Sequence, residues 1–168
     1  VLRIRPPQPV PVHAEFVAET VRQLVFAQYG DETYTRGLNV VTSIDGALQQ
    51  AGYKALRRGI LTYEQRQFYR GPEAYVDLPA DPAALDARIA EALADHPDQD
   101  ELRAAVVLEA SPQQVKAVLQ TGETITVTGA GLRPVASGLA AKAGPTLQIR
   151  RGAVVRAIQD TKGQWALT

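Results

Sequence analysis

The hydrophobic period of the chain changes at Arg103, and no other feature limits its fold more. Upstream, apolar residues recur at helical spacing; downstream they alternate in short runs bounded by turn residues. The runs are 104–109, 113–119, 123–128, 153–158 and 164–167, all rich in β-branched residues. Val115, Ala117 and Leu119, then Ile125 and Val127, take every second position. Ser111–Pro112, Thr121–Gly122, Gly129–Gly131 and 160–163 supply the turns. The looser Gly/Pro/Ala stretch from Gly131 to Thr146 suits a connection across a barrel end. Five short strands with one long connection predict a small closed β-barrel of the OB type.

The first half reads differently. Pro6, Pro7, Pro9 and Pro11 predict an extended, polyproline-like linker. Val17, Val21, Leu24, Val25 and Gln28 form one stripe, which predicts a helix from Glu15 to Tyr29 closed by Gly30. Leu38 to Ser43 is strand-like. Asp45 can cap a following helix that runs to about Tyr63 with Leu48, Ala51, Ala55, Leu56 and Ile60 at helical spacing. Gln65 to Pro79 reads as irregular. Asp81–Pro82 starts a second capped helix with Leu85, Ile89 and Leu93 on its stripe and Ala92 beside them, stopped at His96–Pro97.

Composition narrows the function. Eighteen basic and eighteen acidic residues balance, so no net field gathers phosphates or anionic lipid, and nucleic acid is not expected as a partner. There is no cysteine, which excludes disulfides and thiolate metal sites. No apolar run is long enough to span a membrane. The chain holds no methionine, so Val1 is not expected to be a natural start, and both ends are expected to lie inside a longer protein.

Several segments together resemble a known family. Glu15 to Gln23 with Tyr29–Gly30 is similar to the linker that follows the glycosyltransferase domain in class A bifunctional penicillin-binding proteins. Gly37 to Asp45, followed by Gly46 to Gln50, resembles the start of their transpeptidase domain, with Ser43 where a second threonine is usual. Tyr63 to Arg66 and Tyr69 to Glu73 resemble the 1A branch of Gram-negative bacteria, in which an OB-like insertion interrupts the transpeptidase. Ser111 to Gln114 sits where such insertions carry a similar turn. The resemblance implies an α+β chain: a helical interdomain linker over 1–36, a strand–helix start of the transpeptidase domain over 37–66, and a five-stranded OB-like docking insertion over 67–168. It further implies a periplasmic parent, anchored in the inner membrane, that polymerises and cross-links peptidoglycan. The implied partners are the parent's other domains, an outer-membrane lipoprotein activator and peptidoglycan itself.

Catalytic chemistry is not expected in this segment. A penicilloyl serine transferase needs Ser-x-x-Lys, but the residues three beyond Ser43, Ser111 and Ser137 are Gly46, Gln114 and Ala140. His13 and His96 are isolated, and the acidic run Asp95, Asp98, Asp100 and Glu101 lacks the glycine and distal glutamate of a calcium loop. No metal or cofactor is expected. Two surfaces are candidates for binding. Arg66, Phe68, Tyr69, Arg70 and Glu73 form one, since Tyr and Arg are enriched at interfaces; the tract reads equally as a latch that packs a loop onto the barrel. Gln114, Lys116, Thr124 and Thr126 would face outward on the second and third barrel strands, where OB barrels bind oligosaccharides. Trp165 reads as core or capping rather than as a stacking platform.

Overall fold

A computed structural model describes residues 12–160 and 162–168. The proline-rich start and Thr161 in the last turn lie outside the described residues. The chain divides into two units, Val1–Thr62 and Tyr63–Thr168.

In the first unit, helix α1 (Glu15–Tyr29) ends at Gly30, whose positive φ of 55° turns the chain and whose N–H bonds to the Phe26 carbonyl. A short 3-10 turn, Gly30–Tyr34, follows. Helix α2 (Gly46–Glu64) is capped as expected: Asp45 Oδ1 accepts the Leu48 N–H at 2.9 Å. The His13 ring stacks on Tyr53 with centroids 3.8 Å apart, and Gln49 Nε2 donates to the His13 carbonyl at 2.6 Å. The strand expected over Leu38–Ser43 does not form; the run has no ladder partner among the described residues. β-branched composition favours extended backbone, but a strand also needs a neighbour to satisfy its N–H and C=O groups.

The second unit contains the barrel. Its strands are β1 (Ala74–Tyr75), β2 (Leu102–Ala110), β3 (Gln114–Leu119), β4 (Thr124–Thr128), β5 (Ala153–Gln159) and β6 (Trp165–Leu167). They form one antiparallel sheet in the order β1-β5-β2-β3-β4, with β6 also paired to β5. β1 and β6 share one edge of β5: Ala74 and Tyr75 pair with Val154 and Ala153, whereas Trp165 to Leu167 pair with Gln159 to Ala157. β4 and β6 come side by side without ladder pairing, so closure is incomplete, as in a partly open OB barrel. The five expected strands are present within two residues of their expected limits; β1 is a sixth, inside the stretch read as irregular.

Alternation decides the core. Val115, Ala117, Leu119, Ile125 and Val127 point inward and are buried with Val107, Val155 and Leu167. The long connection coils into a 3-10 turn, Gly129–Val135, and buries Leu132 and Val135 in the same cluster. Trp165 packs half-buried against it. Helix α3 (Pro82–Ala94), capped by Asp81 on the Ala83 N–H at 3.2 Å, lays Ile89, Ala92 and Leu93 over the other sheet face. Ala104, Val106 and Val154 receive it there, so β2 is buried on both faces. Gly152 feeds β5 with φ 84°, and its backbone lies so close to the Val76 carbonyl that a Cβ would collide with it.

Candidate functional site

The tract that leaves α2 and enters the barrel alternates in and out, like the strand it becomes. Phe68 is 95% exposed. Tyr69 turns inward onto the core, against the backbone of Gly138, where a Cβ would come within 2.6 Å of the ring. Burial, with the Tyr75 phenol adding to it, pushes the Tyr69 hydroxyl above the usual phenol range. Arg66 and Arg70 are exposed. Gly71 packs its backbone against Thr146. The Tyr75 hydroxyl lies 2.7 Å from the Gln148 carbonyl and 3.0 Å from that of Pro145, and the Arg150 guanidinium sits 4.8 Å above the Tyr75 ring. Residues 65–76 are therefore a strap that pins the long 129–152 connection.

Glu73 anchors the strap. Arg156 Nε and Nη2 donate to its two carboxylate oxygens at 2.7 and 2.9 Å, a bidentate pair. His96 Nδ1 lies 2.9 Å from the same carboxylate, and Arg156 Nη1 also donates to the Pro97 carbonyl at 2.7 Å. Partial burial works to raise the Glu73 carboxyl, but Arg156 and then His96 outweigh it and hold the group below the usual carboxylate range. The cluster ties together the strap, the end of α3 and β5. Of the five residues expected at an interface, Tyr69 and Glu73 are thus engaged within the fold, while Arg66, Phe68 and Arg70 face solvent.

The other expected surface is assembled by ladder register. Lys116 pairs with Thr126 and Val118 with Thr124, while Gln114 pairs with Thr128, so the polar side chains share the outer face of β3 and β4. Lys116 Nζ lies 3.0 Å from Glu109, across the bulge in β2.

Sequence reading missed the partners of these groups. Arg156 lies 83 residues from Glu73, and no local pattern couples them. The acidic run near His96 is also built into the fold: Asp98 accepts the Ala104 N–H at 2.9 Å and pairs with Arg103 at 3.0 Å. Among the described residues no group of three His, Asp or Glu side chains is placed to hold a metal ion, and no helix is long and apolar enough to cross a membrane. An open groove of about 600 Å³ runs beside α3, floored by Leu78, Pro79, Ala84 and Ala87 and rimmed by the Arg88–Glu91 pair.

Comparison with known proteins places this architecture. Residues 69–168 match the family model of the penicillin-binding protein OB-like domain. The chain is 33% identical over 161 residues to penicillin-binding protein 1A of Neisseria lactamica, covering 95% of this chain and 20% of the relative. It is 33% identical over 120 residues to penicillin-binding protein 1A of Escherichia coli, covering 71% and 14%. The crystal structure of penicillin-binding protein 1A from Haemophilus influenzae superposes with a TM-score of 0.73 at 25% identity, covering 98% of this chain and 23% of that one. The chain spans 14% to 23% of the length of these relatives. It belongs to the family of the penicillin-binding protein OB-like domain and is a segment of the penicillin-binding protein 1A type.

Proposed function

We propose that the chain is the non-catalytic linker and OB-like docking region of a bifunctional peptidoglycan synthase. In this reading residues 1–36 link the parent's two catalytic domains, 37–66 begin its transpeptidase domain, and 67–168 form an inserted platform for a partner protein. The carrying observation is the split in burial: the core lies in the second unit, whereas no residue of α1, the 3-10 turn or α2 is buried. Val41 is 94% exposed and Leu48 74%. A stripe of that kind calls for cover, and the transpeptidase core of the parent would supply it. The unpaired run Leu38–Ser43 then becomes a strand once a neighbouring strand is present.

The platform itself holds no Ser-x-x-Lys, so its contribution is to position rather than to react. The parent would be anchored in the inner membrane and work in the periplasm. An outer-membrane lipoprotein docking on the strap side would bias the transpeptidase domain through the strap, which Glu73, Tyr69 and Tyr75 make rigid. Titration of the chain with periplasmic lipoproteins tests this: saturable binding supports it, and no binding at tens of micromolar, about the weak end of specific contacts, counts against it. A glycan-strand reading rests on the register that brings Gln114, Lys116, Thr124 and Thr126 to one face. It is second because none of those positions offers a ring for sugars to stack on, and muropeptide titration separates the two.

A further inference from the structure

Whole-chain neutrality conceals a division of charge inside the barrel unit. From Glu73 to Glu101 the chain carries nine acids against one cation, Arg88. From Gly129 to Gly152 it carries Arg133, Lys142, Arg150 and Arg151 and no acid, and the part of the strap before Glu73, residues 65–72, adds Arg66 and Arg70, again with no acid. The fold brings these two basic segments together through Tyr69 on Gly138, Gly71 on Thr146, and the Tyr75 hydroxyl on Gln148.

Pairing sharpens the contrast. Arg88, Arg103, Lys116 and Arg156 each sit in an ion pair with an acid. Arg151 turns away and donates to the Pro79 carbonyl at 3.1 Å. Arg66, Arg70, Arg133 and Lys142 are exposed, and none has an ion-pair partner among the described residues. Arg150 covers the Tyr75 ring. Phe68 stands between Arg66 and Arg70 at 95% exposure, on backbone fixed by the packing of Tyr69 and Gly71 on its far side.

We propose that this basic end docks the acidic face of a partner protein, with Phe68 entering an apolar pocket at its centre. The inference rests on the docking reading above and gives the partner its chemistry. Unpaired cations steer an acidic surface into register and quicken association, while one rigid aromatic ring supplies the desolvated anchor. A bilayer is the poorer fit. Interfacial insertion draws on a broad apolar face, and beyond Phe68 the strap and loop expose only Tyr75, under Arg150, among the large apolar side chains described.

The test uses the chain with three probes: a short Glu/Leu peptide, its Lys/Leu counterpart, and phosphatidylglycerol vesicles. The Glu/Leu peptide is expected to shift the backbone amides of the strap and the 129–152 loop, and to bind more weakly as salt rises. Arg66→Glu with Arg70→Glu, and separately Phe68→Ala, should each weaken it about tenfold. Asp86→Lys on α3 and Glu123→Lys in the β3–β4 turn, both outside the strap and the 129–152 loop, should change it by less than about twofold. Equal binding of both peptides, shifts confined to other surfaces, or binding to vesicles without binding to the acidic peptide would overturn the proposal. The docking reading fails separately. A lipoprotein that binds wild-type and charge-reversed chains alike contradicts only the acidic-face inference. Absence of any binding lipoprotein, with the peptide result intact, contradicts only the lipoprotein reading.

Discussion

Leu93 and Leu48 both sit on the apolar stripes of amphipathic helices, yet Leu93 is fully buried and Leu48 is 74% exposed. The helices are alike in pattern and differ in what the chain supplies to cover them. α3 finds Ala104, Val106 and Val154 on the sheet, while no residue of α2 is buried by the described residues. Amphipathic spacing states that a face will be buried; it does not state against which segment.

Matched truncations give the sharpest way to break this contrast. Leu93→Ala should destabilise the barrel unit by about 2–5 kcal/mol, because it opens a cavity in a site that cannot collapse. Leu48→Ala, measured by the same urea unfolding of the same chain, should cost less than about 0.5 kcal/mol. Similar losses at both sites would mean that the first unit has a core of its own. Gly152→Ala comes next, at about 2–3 kcal/mol, since its positive φ and the adjacent Val76 carbonyl both oppose a Cβ. A thermal scan that finds it neutral would remove the strap's close approach to β5 from the account.

Glu73→Gln is a smaller effect with a pH signature. Loss of the charge from the Arg156 and His96 cluster should cost about 1 kcal/mol at neutral pH, with part of the pair screened by solvent. The folded-state carboxyl is held below its reference value of 4.5, so its contribution is present above that value and is lost as pH falls through the folded pKa. The gap between wild type and Glu73→Gln should therefore close on acidification below about 4.5; a gap that widens there would contradict the assignment. Phe68→Ala should be the least costly to stability, within about 0.5 kcal/mol, while reducing binding at the strap.

Legibility followed locality. The strands β2 to β6 and all three helices carry their signals in consecutive residues, such as Val115, Ala117 and Leu119, or the caps Asp45 and Asp81. β1 was hidden because two residues carry no period, and its pairing is with Val154, far along the chain. Leu38–Ser43 misled because β-branched side chains report a preference and not a partner. At the candidate site, Phe68 and its flanking arginines stand exposed. The inward turn of Tyr69 and the Glu73–Arg156 clamp were not legible, because both depend on where distant backbone passes. The charge division was available in the sequence; summing over the whole chain erased it, and summing by segment restores it.

Hydrogen exchange over 38–60, compared between this chain and the proposed parent synthase, decides whether the exposed stripe of the first unit is covered elsewhere. The account expects these amides to exchange far faster than β2, β3 and β5 in the isolated chain, and to become protected in the parent, where the transpeptidase core covers them. Equal protection of 38–60 in the two proteins would contradict it.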